Sequence, residues 1–130
     1  MKTCEDIMTP NPICCLPTDG VKKVAEIMLR ENLGPIPIID SDLTRKLIGI
    51  VTDRDLVLRV VAQGRDSEKT KVETVMTRKV ICCRADDHYQ VAVTAMSEHQ
   101  LRRIVVVDKD NKVLGIISQA DVATRADQPE

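Results

Sequence analysis

The sequence has no Phe, no Trp and a single Tyr, so it cannot build the aromatic platforms on which single-strand nucleic-acid binders stack bases. It also lacks a dominant charge. Nineteen Lys and Arg face twenty Asp and Glu, which leaves no basic field to draw the chain to nucleic acid or anionic lipid. No apolar run is long enough to span a bilayer, and the opening Met1-Lys2-Thr3-Cys4-Glu5-Asp6 lacks the charged-then-apolar order of a signal peptide. The expectation is a cytoplasmic protein with neither a nucleic-acid nor a membrane partner. C-x-x-C spacing with histidines at regular offsets is missing, so no metal site is expected. His88 and His99 come without a nucleophile and orienting acid at recognisable spacing, and no catalytic residue is assigned.

What the sequence does contain is a repeat. With an offset of 68 residues, Met8-Thr9 returns as Met76-Thr77, Ile13-Cys14-Cys15 as Ile81-Cys82-Cys83, Asp19 as Asp87 and Met28 as Met96. Leu33, Ile36, Asp40 and Asp42 return as Leu101, Ile104, Asp108 and Asp110. After two extra residues in the first copy's loop, Gly49, Ile50 and Asp55 match Gly115, Ile116 and Asp121. Two copies are too few for a solenoid, so the pattern predicts a closed pair related by a pseudo-twofold axis. The boundaries read as repeat 1 over 1–66 with its opening segment, a linker over 67–71, repeat 2 over 72–126 and a loose tail over 127–130. The linker belongs to a longer polar stretch, Gln63 to Lys71, that shows no apolar periodicity. At 130 residues and 43% hydrophobic, the chain can bury a core, which Val, Ile, Leu, Met and Ala must fill.

Each copy reads as strand, helix, strand, strand, helix, an α/β architecture of α+β type. A strand is expected near Ile13 to Leu16 and near Val80 to Arg84. In copy one a helix follows with Thr18 as N-cap and an apolar stripe of Val21, Val24, Ala25 and Met28. In copy two Asp86 is the expected cap, and Tyr89, Ala92, Val93 and Met96 form the stripe. Strand pairs Ile36–Ile39 with Leu47–Val51, and Ile104–Val107 with Val113–Ile117, enclose polar hairpin loops. Closing helices are predicted from Asp53 to Ala62 and from Gln119 to Arg125.

The junction between the last strand and the closing helix carries the sharpest motif. Gly49-Ile50-Val51-Thr52-Asp53-Arg54-Asp55 and Gly115-Ile116-Ile117-Ser118-Gln119-Ala120-Asp121 share the form G-h-h-[TS]-x-x-D, with h an apolar residue. A strand feeding a helix N-terminus suits an anion such as phosphate, because unpaired N–H groups and the positive dipole end meet there. The same spacing is a capping box, which starts a helix with no ligand at all. The motif alone leaves both readings open.

In the ordered set Asp6-Ile7-Met8-Thr9, Ile36-Pro37-Ile38-Ile39-Asp40 and G-h-h-[TS]-x-x-D, occurring twice, the chain resembles a tandem pair of cystathionine-β-synthase-type (CBS) domains, called a Bateman module. The resemblance covers nearly the whole chain and leaves nothing over for a catalytic domain. It implies a non-enzymatic sensor that binds AMP, ADP, ATP or another adenosyl compound as a regulatory ligand, in clefts between the repeats, with no other cofactor. It implies ribose contacts from Asp55 and Asp121 and phosphate contacts from Thr52 and Ser118. Adenine would lie around Ile13, Cys14, Ile36 and Pro37, and around Ile81, Cys82, Ile104 and Val105. Arg103 would reach phosphate in the second site, where copy one has Gly34-Pro35 but offers Arg54, so the site of Arg103, Ser118 and Asp121 is expected to favour a charged nucleotide. A homodimer and an unknown protein target are the expected partners. The alternatives are a ligand-free dimerisation or interaction module, and a thiol-responsive regulator. For the latter, each adjacent cysteine pair sends one thiol inward and one outward if it lies on a strand. The five cysteines are expected as reduced thiols, the repeated pairs Cys14-Cys15 and Cys82-Cys83 as buried and inert.

Overall fold

A computed structural model describes residues 1–128. In chain order the elements are helix α1 (Cys4–Ile7), strand β1 (Thr9–Pro10), helix α2 (Val21–Glu31), strands β2 (Pro35–Ile39) and β3 (Leu47–Thr52), and helix α3 (Asp53–Leu56), which widens into a π-helical turn (Val57–Val61). A 3₁₀ turn (Val72–Thr74) opens the second repeat. Strand β4 (Cys82–Arg84), helix α4 (Tyr89–Glu98), strands β5 (Arg103–Val107) and β6 (Val113–Ser118) and helix α5 (Gln119–Arg125) follow. The fold is mixed α/β, as expected. Of the predicted tail, residues 129 and 130 lie outside the described residues.

The chain divides into two compact units, and the division does not fall between the repeats. One unit is Ile13–Val80; the other joins Met1–Pro12 to the chain from Ile81 onward. Each unit is therefore the body of one repeat with the opening segment of the other. In the first unit β2 and β3 pair antiparallel, and Ile50 exchanges backbone bonds of 2.9 and 2.8 Å with Thr77 from the opening of repeat 2. In the second the order is β1-β6-β5-β4, with β1 from the opening of repeat 1 placing Thr9 opposite Ile116.

Glycine permits this junction. A Cβ on Gly49 would stand 2.5 Å from the Met76 sulfur, and one on Gly115 would run into the Met8 sulfur and stand 2.8 Å from the Thr9 carbonyl oxygen. Both distances are well inside van der Waals contact, so the methionine of each opening segment occupies the space a side chain would need.

The last strand of each pair alternates buried and half-buried residues along its length, the period-2 pattern of a strand with one face on the core. Cys15, Ile36, Ile38 and Val51 share one core with Val24 and Met28; Cys83, Ile104, Val106 and Ile117 share the other with Ala92 and Met96. Each hairpin loop is fixed by its aspartate: Asp40 accepts from the Ser41 and Lys46 amides, both at 2.8 Å, and Asp108 from the Asp110 and Lys112 amides at 2.8 and 2.9 Å.

Some local expectations are corrected. Thr18 and Asp86 do not cap: α2 begins after Gly20, which provides no side-chain cap, and α4 is capped by His88, whose Nδ1 accepts from the Gln90 amide at 3.0 Å. The adjacent aspartates bind backward instead, Asp19 accepting from the Leu16 amide at 2.8 Å and Asp87 from the Arg84 amide at 2.9 Å. In the α2 stripe Ala25 is exposed and Ile27 takes the buried place. The strand expected at Ile13 to Leu16 is a single parallel bridge, Cys15 to Ile38, because prolines flank the segment and deny it further donors. Its counterpart, free of proline, forms β4 in parallel with β5.

Candidate functional site

The two motif segments adopt the same geometry. Thr52 and Ser118 have extended backbones and end their strands, and each hydroxyl accepts from the amide three residues on: Asp55 N–H to Thr52 Oγ1 at 3.1 Å, and Asp121 N–H to Ser118 Oγ at 3.0 Å. Each carboxylate answers, with Oδ2 accepting from the Thr52 or Ser118 amide at 2.9 Å. Both are complete capping boxes. The carboxylates keep a second oxygen. Asp55 Oδ1 stands 3.8 Å from Arg59 Nε, and Asp121 Oδ1 stands 3.9 Å from Arg125 Nε, with the Asp side chains 17% and 14% exposed. These ion pairs are long, so that oxygen retains acceptor capacity for an incoming hydroxyl.

Of the other candidate residues, the structure brings some to the motif and directs others away. Strand register sets Arg103 opposite Ser118, whereas Pro35 holds the matching place opposite Thr52. Arg103 and Arg54 are both exposed. Pro37 and Val105 sit on the other strand face, paired with Ile50 and Ile116, and are also buried, Val105 at 1% exposure. Cys82 shares the face of Val105 through its parallel register and is exposed. Cys14 is half-buried, with the Arg45 guanidinium donating toward its sulfur at 3.6 Å. Ile36 and Ile104 point the other way: both are packed inside the cores at 0% and 2% exposure, leaving only backbone to a ligand at those positions. Ile13 is exposed and Ile81 half-buried.

With this geometry established, comparison places the chain. The family model described as "CBS domain" matches residues 4–62 and again 72–127. The chain is a tandem pair of CBS domains. Among curated relatives, the CBS domain-containing protein YhcV of Bacillus subtilis is 33% identical over 123 residues, which is 95% of this chain and 84% of that one. Among solved structures, the CBS domain pair of protein MJ0100 in complex with 5′-methylthioadenosine and S-adenosyl-L-methionine superposes with a TM-score of 0.79 at 28% identity, covering 95% of this chain and 94% of that one. CBSX2 in complex with AMP gives 0.81 at 27% identity, covering 97% and 96%.

Two features of this CBS pair escaped the sequence reading. Arg59 and Arg125 each lie four residues after the motif aspartate, and both turn Nη1 to the crossing segment: Arg59 donates to the Val75 carbonyl at 3.0 Å, and Arg125 to the Met8 and Ile7 carbonyls at 2.8 and 3.3 Å. The signal was present as an i, i+4 acid–base pair in both copies, but the carbonyl partners are remote in sequence. The second feature is Cys4, which the repeat comparison ignores because Val72 occupies its counterpart. Cys4 is buried with Cys83 in one core, the Cys4 thiol donating toward the His88 carbonyl at 3.9 Å and the Cys83 thiol toward the Val105 carbonyl at 3.8 Å. The neighbouring Cys4 thiol and burial hold the Cys83 thiol above its ordinary range. As expected of adjacent cysteines, Cys15 and Cys83 turn inward while Cys14 and Cys82 are more open. Among the described residues no cluster of three His, Cys, Asp or Glu side chains is arranged to hold a metal ion, and no helix is long and apolar enough to cross a membrane.

Proposed function

We propose that this CBS pair is a regulatory module that binds AMP, ADP, ATP or a related adenosyl compound and performs no chemistry on it. The observation that carries the reading is the largely buried but still accessible carboxylate of Asp55 and of Asp121, fixed through one oxygen by its capping box and retaining acceptor capacity on the other. A carboxylate so placed takes two vicinal hydroxyl protons well. AMP, 5′-methylthioadenosine and S-adenosyl-L-methionine, held by the CBSX2 and MJ0100 pairs, share adenosine and its ribose diol while differing at the 5′ position. The ribose is thus the part that Asp55 and Asp121 would hold, and Thr52 and Ser118 stand where a 5′ phosphate would meet the helix start. Arg103, opposite Ser118, gives the second site a guanidinium for phosphate; Arg54 is the cation nearest the first motif in sequence. Adenine would contact Ile13, Cys14, Pro37 and the Ile36 backbone in one site, and Ile81, Cys82, Val105 and the Ile104 backbone in the other. The module would act in the cytoplasm, as a homodimer, on a protein target.

Thermal unfolding with millimolar AMP, ADP and ATP tests this reading, since a ligand bound only to the native state must stabilise it, by about 2.7 kcal/mol at a hundred times Kd. The expected result is a rise in Tm that Asp121→Ala diminishes far more than Asp86→Ala. Unchanged melting with all three nucleotides, or equal effects of the two substitutions, would refute it. One observation favours a second reading, a ligand-free association module: Val57, Leu58 and Val61, on the turn after α3, are 56%, 45% and 73% exposed. A sedimentation profile showing a dimer indifferent to every adenosine compound would select it.

A further inference from the structure

We infer that Arg59 and Arg125 are positioning residues that relay occupation of each motif carboxylate to the opening segment of the opposite repeat. The inference rests on the assignment of Asp55 and Asp121 to ligand. Its basis is an arrangement built twice with the same atoms. Nε of each arginine faces the aspartate Oδ1 at 3.8 or 3.9 Å, and Nη1 of the same group donates to a carbonyl of the crossing segment, Val75 at 3.0 Å or Ile7 and Met8 at 3.3 and 2.8 Å. Val75 and Ile7 are matching positions of the two repeats. A planar guanidinium joins two such acceptors rigidly, which a lysine ammonium cannot do.

The crossing segment is otherwise anchored by Ile7, buried in the core, and by backbone bonds, the Cys4 and Glu5 amides donating to the Asp87 and Ala85 carbonyls at 2.8 and 3.0 Å. Asn11 donates to the Leu114 carbonyl at 3.1 Å, and β1 contributes only two residues to its sheet. When ribose hydroxyls donate to Asp121, they compete for the oxygen that faces Arg125. The guanidinium then shifts its charge toward the Ile7 and Met8 carbonyls or releases them, and the hold on the segment changes with occupancy. In this unit the coupling has a second strand, because the Thr9 hydroxyl stands 3.4 Å from both Asp121 oxygens. Thr77, its match in the other unit, bonds to no Asp55 oxygen among the described residues, so there the arginine carries the coupling alone.

Amide hydrogen exchange at Met8, Thr9 and Asn11 reads the segment directly. Without ligand, Asp121→Asn should raise exchange at these amides at least about fivefold, the low end of ordinary coupling between sites, and should add nothing in a background that combines Arg125→Ala with Thr9→Val, which removes both links. With saturating AMP, the wild type should change exchange at the same amides. Each combined with Thr9→Val, Arg125→Ala and Arg125→Lys should bind AMP within about tenfold of wild type yet lose that change, while protection around Ser118 to Asp121 persists. Arg125→Lys keeps the charge and serves where the alanine variant folds poorly. An AMP-induced change at Met8 to Asn11 that survives in both double variants, or an Asp121→Asn variant that leaves these amides unaltered, overturns the relay. A wild type indifferent to AMP, with Asp121 and Arg125 still coupled in the ligand-free variants, sinks the nucleotide reading and leaves the latch supported.

Discussion

In the unit that carries Asp55, the position facing the motif hydroxyl across the strands is Pro35 and the residue before the aspartate is Arg54; in the unit that carries Asp121, the same places hold Arg103 and Ala120. Each unit has one cation that the other lacks, and in a different place. Against this, both have the glycine that admits a methionine, the hydroxyl and carboxylate of the capping box, and the arginine one turn later. The residues that set backbone geometry are common to the two units, and the residues that would choose among ligands are not. The cores differ as well, since Val72 packs with Cys15 in one and Cys4 with Cys83 in the other. The experiments below probe where the likeness holds and where it ends.

The largest expected effect lies at the shared glycines. Gly115→Ala must push its methyl against the Thr9 carbonyl, which is backbone, whereas for Gly49→Ala the three nearest atoms all belong to the flexible Met76 side chain. Overpacking of this kind costs about 1–3 kcal/mol, and Gly115→Ala should fall at the top of that range with Gly49→Ala near the bottom. Urea denaturation of the two variants checks it. Equal losses would mean that the two crossings are equally yielding.

Next comes the cation that only one unit sets opposite its motif hydroxyl. Arg103→Ala should weaken ATP binding about tenfold, the low end for a charge-assisted hydrogen bond, and leave 5′-methylthioadenosine, which has no phosphate, nearly unaffected. Calorimetric titration of both ligands separates these outcomes. A parallel loss for the two would assign Arg103 to folding and remove the basis for ranking the sites.

A third effect uses the thiols. Burial, aided by the neighbouring Asp19 carboxylate, pushes the Cys15 thiol up to about 11 from its ordinary 9.0. Its protonated form is favoured by folding, so its contribution is fully present below pH 9 and is lost as pH rises through about 11. Between those limits wild-type stability should fall more steeply than that of Cys15→Ala, by at most roughly 2–3 kcal/mol, two pKa units at about 1.36 kcal/mol each. Urea midpoints at pH 8 and pH 10.5 measure the difference. Identical slopes would mean that Cys15 is hydrated in the native state.

How much of this was legible in the sequence follows from the range over which each feature is determined. The elements were readable because period 2 in Leu47 to Thr52 and helical period in Val21 to Met28 are local properties of a chain with one buried face. The motif residues Thr52, Asp55, Ser118 and Asp121 were readable for the same reason: a capping box closes within four residues. The failures share a cause too. Thr18 and Asp86 are good capping residue types, yet the helices start two residues further on, since Val21 bonds to the Thr70 carbonyl and Tyr89 to the Lys2 carbonyl, both far away in sequence. Ile36 and Ile104 stand among the candidate site residues by family likeness, and strand register turns their side chains into the cores, which leaves their backbone to a ligand. The crossing of the opening segments, the arginine carbonyl contacts and the Cys4–Cys83 pair all join residues that no local pattern connects.

The smallest expected effect concerns the stretch that the sequence marks as polar and featureless. Residues 63–69 are exposed, and Lys22 pairs with Glu68 at 3.0 Å with both side chains more than half exposed. An ion pair so open is screened by solvent and has to restrict two long side chains. The stretch is held instead by backbone: Val21 donates to the Thr70 carbonyl at 2.9 Å and Lys22 to the Ser67 carbonyl at 3.2 Å. Glu68→Ala should therefore leave the urea midpoint unchanged within error, at low and at high salt. A clear loss at low salt, recovered by no other change, would show that the charge pair fastens this segment to α2. The connection between the repeats would then count as a working part of the first unit, with no counterpart in the second.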